Sequence, residues 1–272
     1  MKIEKKIENI LNDKIINTIE TSYGITNKNY IVETNENSYF CRIPKDTLFI
    51  NNKENEKEAL DILKNEDYFL EPVYYDSNLL ITQFQKNAKT FISNKNLSSI
   101  VEISKILKSL HKNKFQANNK FNPVETFEKY LYQVENFEID IEKYLPLVEE
   151  FKELYTPDRL CHNDLVEGNF LFTKSKIYLI DFEYAGQNDY YFDIASFISE
   201  NDLNYQETVT FLQSYFGDEI CDFEKLDIFL KFEDLLWYTW AWLLYEKRGE
   251  EIYKTIAEDK FNKLKKPRKI IY

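Results

Sequence analysis

The chain has 272 residues, 43% of them hydrophobic and 16% aromatic, so it is long enough and apolar enough to bury a sizeable core. Its formal net charge of −12 argues against binding to nucleic acid or to an acidic membrane surface, because both need clustered lysine and arginine. Three widely spaced cysteines, and a first segment without the continuous apolar core of a signal peptide, predict reduced thiols and a soluble cytoplasmic protein.

The first part of the chain is predicted to form a helix and a hairpin. Apolar residues in positions 1–20 recur at a spacing of three or four, which predicts an amphipathic helix with a break near Asn12. A turn from Tyr23 then leads into a strand that ends at Val32, and Ser38–Ile43 is its predicted hairpin partner. A loop in this region, with Asn27 among its residues, is a candidate to cover nucleotide phosphates, although its single glycine makes no glycine-rich motif.

Arg42 and Glu56 are a candidate pair for holding a nucleotide. Arg42 lies within a predicted strand, and Glu56 lies in a helical run over residues 51–64. In kinase-like folds a strand cation grips the phosphates and pairs with a helix carboxylate. Taken alone, both side chains fit a solvated surface equally well, and Glu54 and Glu58 on the same helix are alternatives.

The order of the remaining elements predicts the fold class. Two more strands, 72–76 and 79–84, precede a polar connector, which predicts a boundary near residue 87 between an N-terminal lobe (1–87) and a C-terminal lobe (88–272). Helical periodicity then marks the runs 97–111, 127–134, 144–155, 191–200, 205–216 and 226–247, with a further turn or helix beyond Glu250. Strands first and helices later predict an α+β protein with segregated lobes.

The segment from Cys161 to Asp193 reads CHNDLVEGNFLFTKSKIYLIDFEYAGQNDYYFD and carries the chemistry. His162, Asp164 and Asn169 have the spacing H-x-D-x-x-x-x-N of a protein-kinase catalytic loop. Asp181 follows a short apolar strand. Asn169 and Asp181 offer the oxygen ligands that Mg²⁺ prefers, and Asp164 could orient an alcohol. The catalytic-loop spacing and an aspartate that follows a short strand are each common alone. Both together, separated by the length of one hairpin, predict a phosphotransferase site.

These stretches, with GITNKNYIV and YFCRIP earlier in the chain, resemble the choline/ethanolamine kinase family. That family lies within the aminoglycoside phosphotransferase and protein-kinase-like fold, so the resemblance implies a bilobal kinase that uses ATP and Mg²⁺. It implies the following roles: Asp164 as catalytic base supported by His162 and Asp193, Asn169 and Asp181 as magnesium ligands, and Arg42 with Glu56 at the nucleotide phosphates. Asp193 could equally cap the helix that it begins.

An aromatic pocket for a quaternary ammonium is the expected acceptor site. Trp237 and Trp240 are three apart and share a helix face. The resemblance places them in the choline pocket with Tyr184, Tyr205 and Glu200, where ring faces and a carboxylate would attract the cation. The alternative is that both tryptophans are only core residues of an apolar helix.

The resulting expectation is an ATP-dependent choline kinase that forms phosphocholine. Ethanolamine, thiamine, an aminoglycoside or another amino alcohol remains an alternative acceptor. A pseudokinase that binds without turnover is a further alternative, against which the retention of Asp164, Asn169 and Asp181 argues. The sequence leaves the oligomeric state open, with a dimer as one option.

Overall fold

The computed structural model describes residues 2–21, 24, 27–45, 53–112 and 121–266. The chain divides into two compact units, Met1–Asn94 with Glu167–Glu183, and Lys95–Val166 with Tyr184–Tyr272. The boundary expected near residue 87 therefore falls inside the first unit, which also takes a segment of the catalytic stretch. Most of the turn expected at 23–26, and the first two residues of the helix expected over 51–64, lie outside the described residues.

The helices and strands follow one another as an α+β chain. The strands are β1 (Ile15–Thr21), β2 (Asn27–Thr34), β3 (Ser38–Pro44), β4 (Pro72–Asp76), β5 (Leu79–Gln83), β6 (Arg159–Cys161), β7 (Phe170–Phe172), β8 (Ile177–Leu179) and β9 (Gly186–Asn188). The helices are α1 (Lys2–Leu11), α2 (Lys53–Ile62), α3 (Leu97–Lys112), α4 (Pro123–Gln133), α5 (Leu145–Leu154), α6 (Tyr190–Glu200), α7 (Tyr205–Phe216), α8 (Phe223–Arg248) and α9 (Glu251–Lys265).

The first unit is built on a five-stranded antiparallel sheet in the order β1-β2-β3-β5-β4. Ile7 of α1 joins the core of this sheet, whose other fully buried members are Val32, Cys41, Leu79 and Ile81. The β7-β8 hairpin attaches to the same unit through bridges from Lys89 to Phe172 and from Phe69 to Leu179. The hairpin that carries part of the predicted site is therefore anchored to the unit that contains β3.

The helix predicted for residues 1–20 is wrong in its second half. Helix α1 ends at Leu11, Asn12 has a positive φ of 51°, and Ile15–Thr21 form the edge strand β1. Isoleucine is β-branched and suits a strand at least as well as a helix, so its spacing alone does not decide between them. Ile16 and Ile19 are 64% and 45% exposed, so their helical spacing does not mark a buried face.

The second unit is organised around α8. Its middle is buried on all sides, with every residue from Phe232 to Leu244 buried, and α4, α5, α6 and α9 pack against it. Asp222 caps the start of α8, and Gly249, with a φ of 68°, ends it. Helix α3 packs against α7 and against β6, which pairs with β9. In the part of the chain that the structure describes, no helix is both long and apolar enough to cross a bilayer.

Candidate active site

Asp193 fixes the loop that follows β6. Its Oδ2 accepts a hydrogen bond from the backbone N–H of His162, and its Oδ1 accepts one from the N–H of Asn163, both at 2.7 Å. His111 adds a contact from its Nε2 to Oδ2 at 2.9 Å. Asp193 therefore makes the backbone contacts that the resemblance implied, while the cap of α6 is Asp189 instead. His111, in the last turn of α3, therefore belongs to this buried network.

Asn163 turns the chain immediately before the predicted base. It has a φ of 68°, a left-handed conformation that asparagine tolerates better than most residues, and its side chain is fully buried. Its Oδ1 accepts a hydrogen bond from Asn188 at 2.7 Å, and its Nδ2 donates to the backbone oxygen of Tyr184 at 2.8 Å. These contacts tie the loop to the β9 region.

Asp164 itself is half-buried and is held from both sides. Its backbone N–H donates to Nδ1 of the buried His162 at 3.3 Å. The next residue, Leu165, donates its N–H to Ser196 at 3.2 Å and accepts from the side chain of Asn201 at 2.8 Å. With its neighbours fixed, the Asp164 carboxylate projects from a rigid backbone, as an orienting base requires.

The first unit contains a buried charge network around Arg42. The guanidinium of Arg42 forms ion pairs with Glu56 of α2 and with Asp181, and only 5% of the Arg42 side chain is exposed. Tyr75 donates to the other Glu56 oxygen at 2.8 Å. Burial lowers the pKa of Arg42, but the Asp181, Glu56 and Glu183 carboxylates outweigh it and raise that pKa above its ordinary value. Arg42 is therefore permanently cationic, and the expected pairing with Glu56 is present.

Asn169 and Asp181 leave the same end of the β7-β8 hairpin. The backbone N–H of Ile180 donates a hydrogen bond to the backbone oxygen of Asn169 at 3.0 Å, which fixes the two segments side by side. Asn169 is 7% exposed, and Asp181 has a φ of 65° that turns it out of the strand direction. One amide and one carboxylate fit the oxygen ligands that Mg²⁺ takes, usually together with waters and substrate phosphates.

The structure adds Glu183 to this charged group and positions Asn27 beside it. Asn27, the first residue of β2, donates its side-chain N–H to Oε2 of the buried Glu183 at 3.1 Å. Sequence reasoning did not single out Glu183. In the sequence, Glu183 is marked only by lying two residues after Asp181. The catalytic-loop spacing does not include this position.

Three of the five residues expected in the acceptor pocket form a continuous aromatic cluster in the second unit. The Tyr184 and Trp237 rings meet edge to face at 5.8 Å between centroids, and Trp237 meets Trp240 at 6.0 Å and 90°. The indole N–H of Trp240 has no hydrogen-bond partner among the described residues, whereas that of Trp242 donates to the oxygen of Asn136 at 2.7 Å. The two tryptophans are equally buried. Of the two, Trp242 has the hydrogen-bonded N–H that is typical of a tryptophan with a structural role.

Glu200 and Tyr205 have different surroundings from the aromatic cluster. Glu200, the last residue of α6, forms a buried ion pair with Lys260 of α9. Tyr205, the first residue of α7, is 57% exposed. The sequence did not predict the partner of Glu200, because Lys260 lies 60 residues farther along the chain.

The comparisons with known proteins decide the family. A model described as "Phosphotransferase enzyme family" (APH) matches residues 20–229. The chain belongs to this phosphotransferase family. Protein LicA from Haemophilus influenzae is 27% identical over 249 residues, which cover 84% of this chain and 73% of that protein. The prediction that the chain is a phosphotransferase is therefore confirmed.

Solved structures of other proteins share this fold. Choline kinase LicA from Streptococcus pneumoniae superposes with a TM-score of 0.81 at 24% identity, covering 97% of each chain. A choline/ethanolamine kinase family protein from Mesorhizobium loti has a TM-score of 0.75 at 21% identity, covering 92% of this chain and 87% of the other. These likenesses confirm the predicted fold class, an α+β protein-kinase-like phosphotransferase.

Proposed function

We propose that this phosphotransferase is an ATP-dependent choline kinase that transfers the γ-phosphate of ATP to the choline hydroxyl. The observation that carries the proposal is the link between Asp164 and the aromatic cluster. Asn163, next to Asp164, donates to the backbone of Tyr184 at 2.8 Å, and the Tyr184 ring begins the cluster that continues through Trp237 and Trp240. A base for the hydroxyl and ring faces for a cation thus share one rigid framework.

The aromatic cluster suits a trimethylammonium group in particular. This group cannot donate hydrogen bonds, and ring faces attract it by about 0.5–2 kcal/mol at each good contact. Tyr184, Trp237 and Trp240 would supply those faces. A primary ammonium such as that of ethanolamine would instead need several hydrogen-bond acceptors, which indole rings do not provide. The names of relatives agree with this choice, since LicA of S. pneumoniae is described as a choline kinase.

Arg42 is proposed to hold the nucleotide phosphates, with Glu56 fixing its orientation. A buried, permanently charged guanidinium that is held by Glu56 and Asp181 presents its remaining donors in a fixed direction. Asn27, at the start of β2, would contribute to the same end of the nucleotide. A related structure of LicA in complex with AMP agrees with a nucleotide site in this fold.

Asn169 and Asp181 would hold Mg²⁺, and their amide and carboxylate oxygens suit that ion. When bound, the ion would neutralise charge on the β- and γ-phosphates. The ion pair with Arg42 restrains the Asp181 carboxylate, so one ligand is oriented before any metal arrives. The hydrogen bond from Ile180 to Asn169 sets the spacing of the pair.

The reaction then needs one proton acceptor on the choline side. Asp164 would orient the hydroxyl and accept its proton as the oxygen forms a bond to the γ-phosphorus. The bond between that phosphorus and the bridging oxygen breaks, which leaves ADP and phosphocholine. The backbone contacts of His162, Asn163 and Leu165 keep Asp164 from moving out of line.

A panel of acceptors tests the proposal. ATP turnover with Mg²⁺ is measured with choline, ethanolamine, thiamine and a representative aminoglycoside as separate acceptors. We expect choline to give the highest kcat/KM. Higher kcat/KM with another member would keep the phosphotransferase chemistry and reject choline, and ATP binding without turnover on any acceptor would favour the pseudokinase alternative.

A further inference from the structure

We propose that Glu233 is the carboxylate that recognises the positive charge of the acceptor, and that it releases a proton to solvent when the cation binds. The inference rests on the proposed function, because it assigns a new determinant to the same acceptor site. Sequence reasoning gave that role to Glu200, whose charge is already paired with Lys260.

Glu233 lies on the face of α8 that carries the two indoles of the aromatic cluster. Trp237 and Trp240 follow it by four and seven residues, and these spacings put all three side chains on one side of a helix. Helical side chains lean toward the N-terminus of their helix, so we expect the indole of Trp237 to lie toward the turn that bears Glu233. A cation held on the indoles would therefore lie near this carboxylate.

Among the residues that the structure describes, Glu233 lacks the hydrogen bonds that usually satisfy a buried carboxylate. Its side chain is fully buried, and neither oxygen has a hydrogen-bond partner among the residues that the structure describes. Its neighbour Asp234, also fully buried, accepts a hydrogen bond from Ser199 at 3.2 Å. Buried polar groups are nearly always bonded, and an unpartnered one needs an explanation. The N–H of Trp240, which also has no hydrogen-bond partner within the described part of the chain, lies on the same face, so both unsatisfied groups point to a ligand site.

The charges around Glu233 leave it without a cation of its own. It is influenced by Glu200 and Asp193 from α6, by Asp234 on its own helix and by Lys260 from α9, which is paired with Glu200. Helices α4 and α5 meet α8 here through phenylalanine rings, those of Phe127 and Phe151 against Phe232. Burial, together with the nearby carboxylates, raises the pKa of Glu233 well above its usual range, which favours the neutral form of this side chain in the free protein.

Binding of a quaternary ammonium reverses this balance. A cation near Glu233 stabilises the carboxylate, so the proton leaves as the cation enters and the net charge of the cluster is kept. A neutral alcohol of the same shape cannot drive that exchange. The affinity for choline should therefore increase with pH up to the pKa of Glu233 in the free protein, because less work is then needed to remove the proton.

The test compares choline with its uncharged carbon analogue, 3,3-dimethylbutan-1-ol, as acceptors. Wild-type protein, Glu233→Gln and a matched control, Glu224→Gln at an exposed position of the same helix, are assayed for KM. We expect Glu233→Gln to raise the KM for choline about tenfold or more, to leave the KM for the neutral alcohol unchanged, and to abolish the pH dependence of the choline KM. The control variant should match wild type.

Proton release is measured on the unmodified protein as well. Calorimetric titration with choline, in buffers of different ionisation enthalpy at neutral pH, should report release of protons to the buffer on binding, and Glu233→Gln should abolish that release. No proton release, or an equal effect of Glu233→Gln on both alcohols, would overturn this inference while choline turnover by wild type stands. Absence of choline-dependent turnover by wild type would overturn the proposed function and this inference with it.

Discussion

At the scale of single residues, Asp164 is the side chain on which the proposed chemistry depends most. Asp164→Asn keeps the shape of the side chain but removes the proton acceptor, so we expect kcat to fall about 10³-fold or more. The affinity for ATP, measured by titration calorimetry, should stay within error of wild type because the proposed phosphate contacts lie on other residues. Asp158→Asn, an exposed carboxylate shortly before the loop, is the control. An active Asp164→Asn variant would remove Asp164 from the role of base.

Trp240 and Trp242 form a matched pair of tryptophans for testing the acceptor site. Both are 8% exposed on α8, but only Trp242 uses its N–H in a hydrogen bond. Trp240→Leu should raise the KM for choline about tenfold and leave the KM for ATP unchanged, since an aliphatic side chain offers no ring face. Trp242→Leu should instead destabilise the fold by at least the roughly 1 kcal/mol of a lost hydrogen bond. Equal changes of both KM values in Trp240→Leu would make Trp240 a core residue.

At the scale of elements, the pair of Arg42 on β3 and Glu56 on α2 joins a strand to a helix through buried charge. Glu56→Gln leaves the buried guanidinium with less compensation, so the free energy of unfolding should drop by about 3 kcal/mol. The KM for ATP should rise while the KM for choline does not, because Arg42 loses its orientation. Urea unfolding and steady-state kinetics measure these two effects.

Glu54→Gln is the control for that pair, since Glu54 lies on an exposed face of the same helix. It should leave both the stability and the two KM values unchanged. A Glu56→Gln variant with wild-type stability would mean that Arg42 is satisfied by Asp181 alone.

Elements whose ends are marked locally could be predicted from the sequence, and those decided by pairing could not. Helix α7 has the predicted range 205–216 because Asn204 and Glu207 form a capping box and Gly217 follows its last turn. Strand β1 was missed because its conformation depends on pairing with β2, which no local spacing of Ile15, Ile16 and Ile19 reveals. The catalytic-loop spacing is also local, so the sequence alone could propose Asp164 and Asn169 as site residues.

At the scale of the whole molecule, contacts between distant helices set the surroundings of the proposed acceptor site. Lys260 forms an ion pair with Glu200, which lies 60 residues earlier in the chain. Neither carboxylate oxygen of Glu233, in the same unit, has a hydrogen-bond partner among the described residues. The only sequence signal for Glu233 was a carboxylate four residues before Trp237 on an otherwise apolar helix face. Burial and the lack of a hydrogen-bond partner are properties of the folded chain. The sequence alone could therefore not favour Glu233 over Glu200 as the carboxylate near the acceptor cation.

The buried Glu233 should also make stability depend on pH. Its pKa in the folded state is raised above the ordinary value of 4.5, so the folded protein binds this proton more tightly than the unfolded chain does. The stability that the bound proton contributes is fully present below pH 4.5 and is lost as pH rises toward the folded-state pKa, by about 1.4 kcal/mol per pH unit. Glu233→Gln should therefore be more stable than wild type at neutral pH, with a difference that disappears at low pH. The measurement is urea unfolding across this pH range. Equal stability of the two proteins at every pH would contradict the prediction.

The proposed choline kinase activity is best tested by a competition among acceptors in one reaction. Wild-type protein, ATP and Mg²⁺ are mixed with equal concentrations of choline, ethanolamine and thiamine, and the phosphorylated products are separated and quantified by mass spectrometry. We expect phosphocholine as the main product, formed in a one-to-one ratio with ADP, and far less of it with Asp164→Asn. A different main product, or ADP formation without any phosphorylated acceptor, would contradict it.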